Sequence, residues 1–319
     1  MALTSDKRCN AFWYEEQVTE ELVLKMALTT ILFEGESQYQ RIQVVETVPF
    51  GKTLVLDDHT QSAALDERSY HEALVHPAML AHGSPKRVFI GGGGEGATAR
   101  EVLKWTSVEQ VVMVDLDEVA CKQCREHLPT WNEGVYEDPR FEIYYEDALA
   151  FLKNYKGPKF DVVIMDISDP IECGPGIELY FKGFYESLAR EQMSEGAVFV
   201  TQSGACGMLS YEEVFTTIHA TVRSSFTHVH GYAADIPCFG CPWGFNLAYN
   251  TCKFPDVANW APEEVDARLK VALKGTCAAD TFNYDGVSHR NMFSLPKYVR
   301  LACTKEERVM CKETPVFLT

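Results

Sequence analysis

From residue 87 onward, short apolar runs alternate with segments of helical period, and this alternation restricts the chain more than any other feature. RVFI (87–90), QVVMVDLD (110–117), FEIYYED (141–147), DVVIMD (161–166) and AVFVTQ (197–202) read as strands. ATAREVLKW (97–105), VACKQCREHL (119–128), DALAFLKNY (147–155), FKGFYESLAREQM (181–193) and EEVFTTIHATVRSSF (212–226) read as helices between them. Strands separated by helices predict an α/β protein with a doubly wound, mostly parallel sheet. HVHGYAADIP (228–237) and WGFNLAYN (243–250) add two late strands. Ahead of all this, residues 20–66 alternate apolar and polar positions around turn signals, as in QRIQVVETV, PFGK and TLVLDDHTQSAAL, which predicts a small antiparallel β region. The expected division is residues 1–68 as a β domain and 69–319 as the α/β domain. The last 60 or so residues read as a helical cap with little chemistry.

Composition excludes several classes. The chain of 319 residues is 46% hydrophobic and carries a net charge of -17. Such an acidic surface disfavours nucleic acid, which needs clustered Lys and Arg. Its first reading is a soluble acidic surface, and its second the attraction of a cationic small molecule. No apolar run approaches the roughly 20 residues of a membrane helix, and the N-terminus lacks the apolar core of a secretory signal, so a cytoplasmic protein with no membrane partner is expected. The 11 cysteines are then reduced thiols. The C-x-x-C pairs Cys121/Cys124 and Cys238/Cys241 have no accompanying His cluster, so no metal is expected.

In a doubly wound sheet, ligands bind outside the carboxyl ends of the strands. The first such end carries Gly91–Gly96 with Glu95 inside it, and Gly92 and Gly94 let backbone approach a ligand. The second ends in Asp115-Leu116-Asp117, where an acid can accept hydrogen bonds from ribose hydroxyls. The third ends in Glu146-Asp147, where a carboxylate could meet an adenine amine. Each acid alone could be a helix N-cap; three at successive strand ends point to a nucleoside. Glu95 would repel a pyrophosphate or a carboxylate and attract an ammonium or sulfonium, so a nucleoside with a cationic tail fits better than a dinucleotide. The fourth end, Asp166-Ile167-Ser168-Asp169-Pro170, offers a general base beside a cation anchor, or a plain polar turn. Tyr70 and His71 could relay a proton and bond an amine, or be an ordinary buried aromatic and histidine.

These residues resemble the spermidine/spermine synthase family of aminopropyltransferases. The resemblance runs from about residue 12 to 250 and covers FWYEE at Phe12–Glu16, SQYQ at Ser37–Gln40, LVLDD at Leu54–Asp58 and YHE at Tyr70–Glu72. It continues through the glycine loop to Arg100-Glu101, Asp115, Asp147, DISDP and Ile236-Pro237. It implies a Rossmann-like, methyltransferase-type sheet and transfer of the aminopropyl group of decarboxylated S-adenosylmethionine to a polyamine, releasing methylthioadenosine. No cofactor is bound permanently. No metal is called for, because the sulfonium is already a good leaving group. By resemblance, Asp166 accepts the proton and Tyr70 assists it. Gln40, Asp115, Asp147 and Ala148 hold the thioadenosine, Pro175 lines the adenine side of a gate, and Glu95 holds the aminopropyl ammonium. His71 and Asp169 contact the polyamine. A homodimer or homotetramer is implied.

Five departures from the common spermidine synthase pattern resemble the thermospermine synthase subgroup, whose acceptor is spermidine. They are Glu95 for Asp, Asp115 for Glu, Ala148 for Gly, a gate DPIECGPGIELY (169–180) two residues longer, and Gly204 where animal-type enzymes place a Glu. Phe239 stands where the family usually has a tyrosine. Trp13 and Trp243 could wall the acceptor tunnel by cation–π contact or pack in the core. The rival readings are spermidine or spermine synthase, a small-molecule N-methyltransferase on the same fold, and a catalytically dead binding homologue.

Overall fold

The structure, a computed structural model, describes residues 12–19, 22–171, 176–273 and 281–318. Two sheets build it. The first is five-stranded and antiparallel in chain order: β1 (Phe12–Thr19), β2 (Leu22–Glu36), β3 (Arg41–Thr47), β4 (Gly51–Leu56) and β5 (His59–Ala63). It begins eight residues earlier than the alternation at 20–66 indicated. Leu56 pairs with His59, and Asp57 and Asp58 between them have φ of 48° and 64°. This is the two-residue turn that matches strand twist and that short polar residues tolerate. Ile42, Val44 and Leu54 pack against Cys124, Leu128 and Trp131 of the second unit, so the first sheet serves as a wall for the second.

The second sheet has seven strands: β6 (Arg87–Gly92), β7 (Gln110–Asp115), β8 (Phe141–Tyr145), β9 (Phe160–Asp166), β10 (Met193–Ala205), β11 (His228–Ile236) and β12 (Cys241–Tyr249). Their order is β11-β12-β10-β9-β6-β7-β8. The five strands from β10 to β8 are mutually parallel, and β12 runs antiparallel to both β10 and β11. The doubly wound, mostly parallel sheet expected from the alternation is therefore present. The strand order reverses between β6 and β9, where Gly92 and Asp166 are register partners. That junction is where such sheets open a ligand crevice.

Helices α2 (Ala97–Leu103), α3 (Glu118–His127), α4 (Ala148–Asn154), α5 (Lys182–Glu191) and α6 (Phe215–Arg223) fall near their expected places. Helix α1 (Glu67–His82) does not figure in the sequence reading. It is buried around most of its circumference and carries Pro77 inside it, so it shows neither the apolar stripe of a surface helix nor an uninterrupted helical composition. It carries Tyr70, His71 and Glu72. The buried Glu72 carboxylate accepts the backbone N–H groups of Phe282, Asn283 and Tyr284, which ties the closing helices α7 (Pro262–Ala272), α8 (Gly286–Met292) and α9 (Lys297–Lys305) to α1. No helix among the described residues is long and apolar enough to cross a membrane.

Candidate active site

The glycine loop ends β6 with backbone that only glycine accommodates easily. Gly92 has φ +78°, and a Cβ there would lie 2.2 Å from the Asp166 carbonyl oxygen. Gly93 N–H donates to that same carbonyl at 2.9 Å. A Cβ on Gly94 would come within 2.9 Å of Asp115 Oδ2 and of Cys121 Sγ. The space freed at Gly92 and Gly94 is taken up by the protein's own Asp166, Asp115 and Cys121, which brings together the ends of β6, β7 and β9, and a cavity opens there against the first sheet.

At its floor, Asp166 Oδ1 accepts the Tyr70 hydroxyl at 2.8 Å and Oδ2 accepts the Thr98 hydroxyl. Burial raises the Asp166 pKa. The His71 charge opposes this, Glu95 adds to it, and the two hydroxyl bonds oppose it. An upward shift makes a carboxylate a stronger base. Glu95 Oε1 stands 3.3 Å from His71 Nε2. His71 is fully buried, and its Nδ1 lies 2.6 Å from the Glu67 carbonyl and 3.2 Å from Glu67 Oε2. Burial alone would lower its pKa, but Glu67 and Glu95 outweigh it and push it up to about 10. Glu67 is held in turn by Arg100 at 2.8 Å. His71 therefore sits behind Glu95 as an imidazolium and is not among the cavity-lining residues. His71 was expected to contact a polyamine; in the free protein it touches Glu95 and Glu67.

The acids at the next two strand ends divide as their geometry dictates. Asp117, not Asp115, caps α3 by accepting Val119 and Ala120 N–H. Its Oδ2 accepts the Ser37 hydroxyl at 2.6 Å and Gln40 Nε2 at 2.9 Å, which links the two sheets. Asp115 Oδ1 accepts Asp117 N–H at 2.8 Å, and Oδ2 lies beside the glycine loop. Burial pushes Asp115 up to about 6. Asp147 does cap its helix, through Oδ1 and Ala150 N–H at 2.6 Å; with Ala148 it also lines the cavity.

At the other end, Asp169 is half-buried, and desolvation pushes it up to about 6. Gln202 Nε2 donates to it at 3.1 Å, and the Trp243 indole donates to Gln202 Oε1 at 3.1 Å. Phe239 packs against Trp243 at a tilt, with ring centroids 4.4 Å apart, and meets the Tyr70 ring at 5.9 Å. Trp243 thus reaches the site through Gln202. Trp13 takes neither place expected of it. Its neighbour Tyr14 faces inward, so strand alternation turns Trp13 outward; it is 40% exposed with Lys25 Nζ 5.4 Å from its ring. Pro175 lies outside the described residues. Gln202, His59, Thr98 and Leu318 were missed: Thr98 and Gln202 lie inside segments read only as helix and strand, and a lone His59 or Leu318 gives no sequence signal.

Gly204 also reads differently in three dimensions. Its φ is +77°, and a Cβ would sit 2.6 Å from Val214 Cγ2. Gly204→Glu is expected to lower stability by about 3 kcal/mol through left-handed strain and overlap, with no clean switch of acceptor. Thermal unfolding checks this; an unchanged midpoint with a gain of putrescine use would restore the position as an acceptor gauge.

Acidic residues recur around the cavity. Asp57, Glu95, Asp115, Asp117, Asp147, Asp166 and Asp169 line it, with no Lys or Arg among its described lining residues. Such a wall repels phosphate and selects a cation. Among the described residues no group of three or more His, Cys, Asp or Glu could hold a metal ion. Cys121 and Cys124 are buried with their thiol pKa values raised by desolvation. Cys238 N–H donates to Asp66 at 2.7 Å.

The chain matches the spermine/spermidine synthase domain over residues 67–253 and the spermidine synthase tetramerisation domain over 12–63. It is 38% identical to a thermospermine synthase of Arabidopsis thaliana, over 96% of this chain and 87% of that one. It is 41% identical to a polyamine aminopropyltransferase of Aeropyrum pernix, over 96% and 95%. A solved spermidine synthase in complex with the transition-state analogue AdoDATO superposes with a TM-score of 0.80 at 28% identity, covering 95% of this chain and 98% of that one.

Proposed function

Because the chain belongs to the spermidine/spermine synthase family of aminopropyltransferases, we propose that its cavity binds decarboxylated S-adenosylmethionine and transfers the aminopropyl group to spermidine, giving thermospermine. The observation that carries this reading is Asp166, a half-buried carboxylate gripped by Tyr70 and Thr98 at the strand switch point, with the acid Glu95 beside it on the loop. In this reading Asp115, Gln40 and Asp147 hold the nucleoside, and Glu95 pairs with the aminopropyl ammonium. Asp169, steadied by Gln202, holds a charged amine of the acceptor.

The attacking amine has a pKa near 10.4 in water, so it must lose a proton as it attacks. Asp166 takes that proton. The nitrogen lone pair forms the new C–N bond at the aminopropyl carbon on sulfur, while the C–S bond breaks and its electron pair leaves with methylthioadenosine. Alignment and deprotonation supply the acceleration. Glu95 counts against an N-methyltransferase, since it would face the methionine carboxylate of intact S-adenosylmethionine. Spermidine as acceptor draws support from the longer gate and from the plant relative.

A product assay tests it. Thermospermine formed from spermidine bears out the reading; spermidine formed from putrescine keeps the mechanism and overturns the acceptor. The rate should show an acidic limb near pH 6. As pH falls, Asp115 and Asp169 (each about 6) take up protons, and so does the upshifted Asp166; the charges that bind cations and the base disappear together. A limb below pH 4.5 would contradict this. Phe12, Val23 and Ile31 on the first sheet are 78%, 46% and 52% exposed, apolar surface suited to contact between copies. A homo-oligomer is expected by light scattering.

A further inference from the structure

The last described residues, expected to carry little chemistry, reach the cavity. Beyond α9, Met310 is fully buried, and its carbonyl accepts the N–H of Lys182 at 2.9 Å. The chain then turns between Cys311 and Thr314. Val316 and Leu318 pack on the apolar cluster that contains Val114, Ala148 and Leu179 and that Ile167 also joins. Leu318 N–H donates to the Pro170 carbonyl at 2.8 Å, four positions past Asp166. Its side chain lines the cavity together with Ile167, Ile171 and Leu179.

We propose that Leu318 is a substrate-positioning residue that closes the apolar side of the cavity against the nucleoside part of decarboxylated S-adenosylmethionine. The proposal rests on the function proposed above. Its assignment to the nucleoside, not the acceptor, follows from packing. Leu318 shares its cluster with Ala148, next to the capping acid Asp147, whereas Tyr70, Phe239 and Trp243 belong to a different cluster. Leu318 is only half-buried in the free protein, so a ligand would complete its burial. The hydrogen bond to Pro170 fixes its backbone to the same strand end that presents Asp166 and Asp169. The surrounding acids can recognise hydroxyls, an amine and an ammonium. The apolar faces of a base, and the thioether of the product methylthioadenosine, need a surface of this other kind.

Titration calorimetry with methylthioadenosine and steady-state kinetics on the full chain test this, with Leu318→Gly and Leu318→Met alongside wild type. Leu318→Gly should weaken methylthioadenosine and raise KM for decarboxylated S-adenosylmethionine by about tenfold, the scale of lost apolar contact in a pocket. The acceptor KM and the unfolding midpoint should hold, and Leu318→Met should restore affinity. Unchanged nucleoside affinity in Leu318→Gly overturns the proposal. So does an equal rise in both KM values with a lowered midpoint, which marks a structural role. Wild-type protein that binds no methylthioadenosine would instead overturn the function reading itself.

Discussion

Asp166→Asn should lower kcat by about a thousandfold, within the range for losing a positioned general base, while methylthioadenosine binding stays within about threefold. The substitution keeps size and shape. The amide oxygen can still accept the Tyr70 hydroxyl that now meets Oδ1 at 2.8 Å, and the amide nitrogen can donate to Thr98. What disappears is the ability to take a proton from an ammonium at neutral pH. Single-turnover kinetics with calorimetry separate the two effects. Retained turnover would remove Asp166 as the proton acceptor, and nucleoside binding lost in parallel would make it a structural residue. Tyr70→Phe should cost less, because Thr98 still grips the other oxygen.

Glu95→Gln should raise KM for decarboxylated S-adenosylmethionine by about a hundredfold, the lower end of what breaking a largely buried charge pair costs, about 3 kcal/mol. Methylthioadenosine carries no ammonium, so its affinity should hardly move. The contrast between the two ligands is the test. Equal weakening of both would mean that Glu95 shapes the loop, through its contact with His71 at 3.3 Å, and does not bind the cationic tail.

Much of this arrangement was legible in the residues themselves. Strand-then-helix periodicity is a local property, and so is an acid closing each apolar run. The reversal of strand order between β6 and β9 then brought Gly92, Asp115 and Asp166 to one place. Helix α1 was hidden because a segment buried on nearly all sides has no stripe to read. The roles of neighbouring acids were hidden for a different reason. Whether Asp115 or Asp117 caps α3 depends on a degree of backbone rotation that spacing does not encode. Gly204 looked like a missing acid in the alignment of motifs, but its φ of +77° is a property of the strand end. Leu318 had no signal, since its place depends on a chain reversal more than a hundred residues beyond β9.

Asp115, Asp166 and Asp169 ring one cavity, and each holds its proton more tightly than a carboxylate in water because burial disfavours the charged form. A multivalent cation entering that ring favours the ionised carboxylates, so binding near pH 6 must expel protons into the medium. The heat of polyamine binding should therefore change with the ionisation enthalpy of the buffer at pH 6 and less at pH 8, where Asp115 and Asp169, each pushed up to about 6, are already ionised. The same linkage means that acidification of the medium weakens the hold of this ring on any cation, so one set of half-buried carboxylates makes the cavity sensitive to pH without a separate control element.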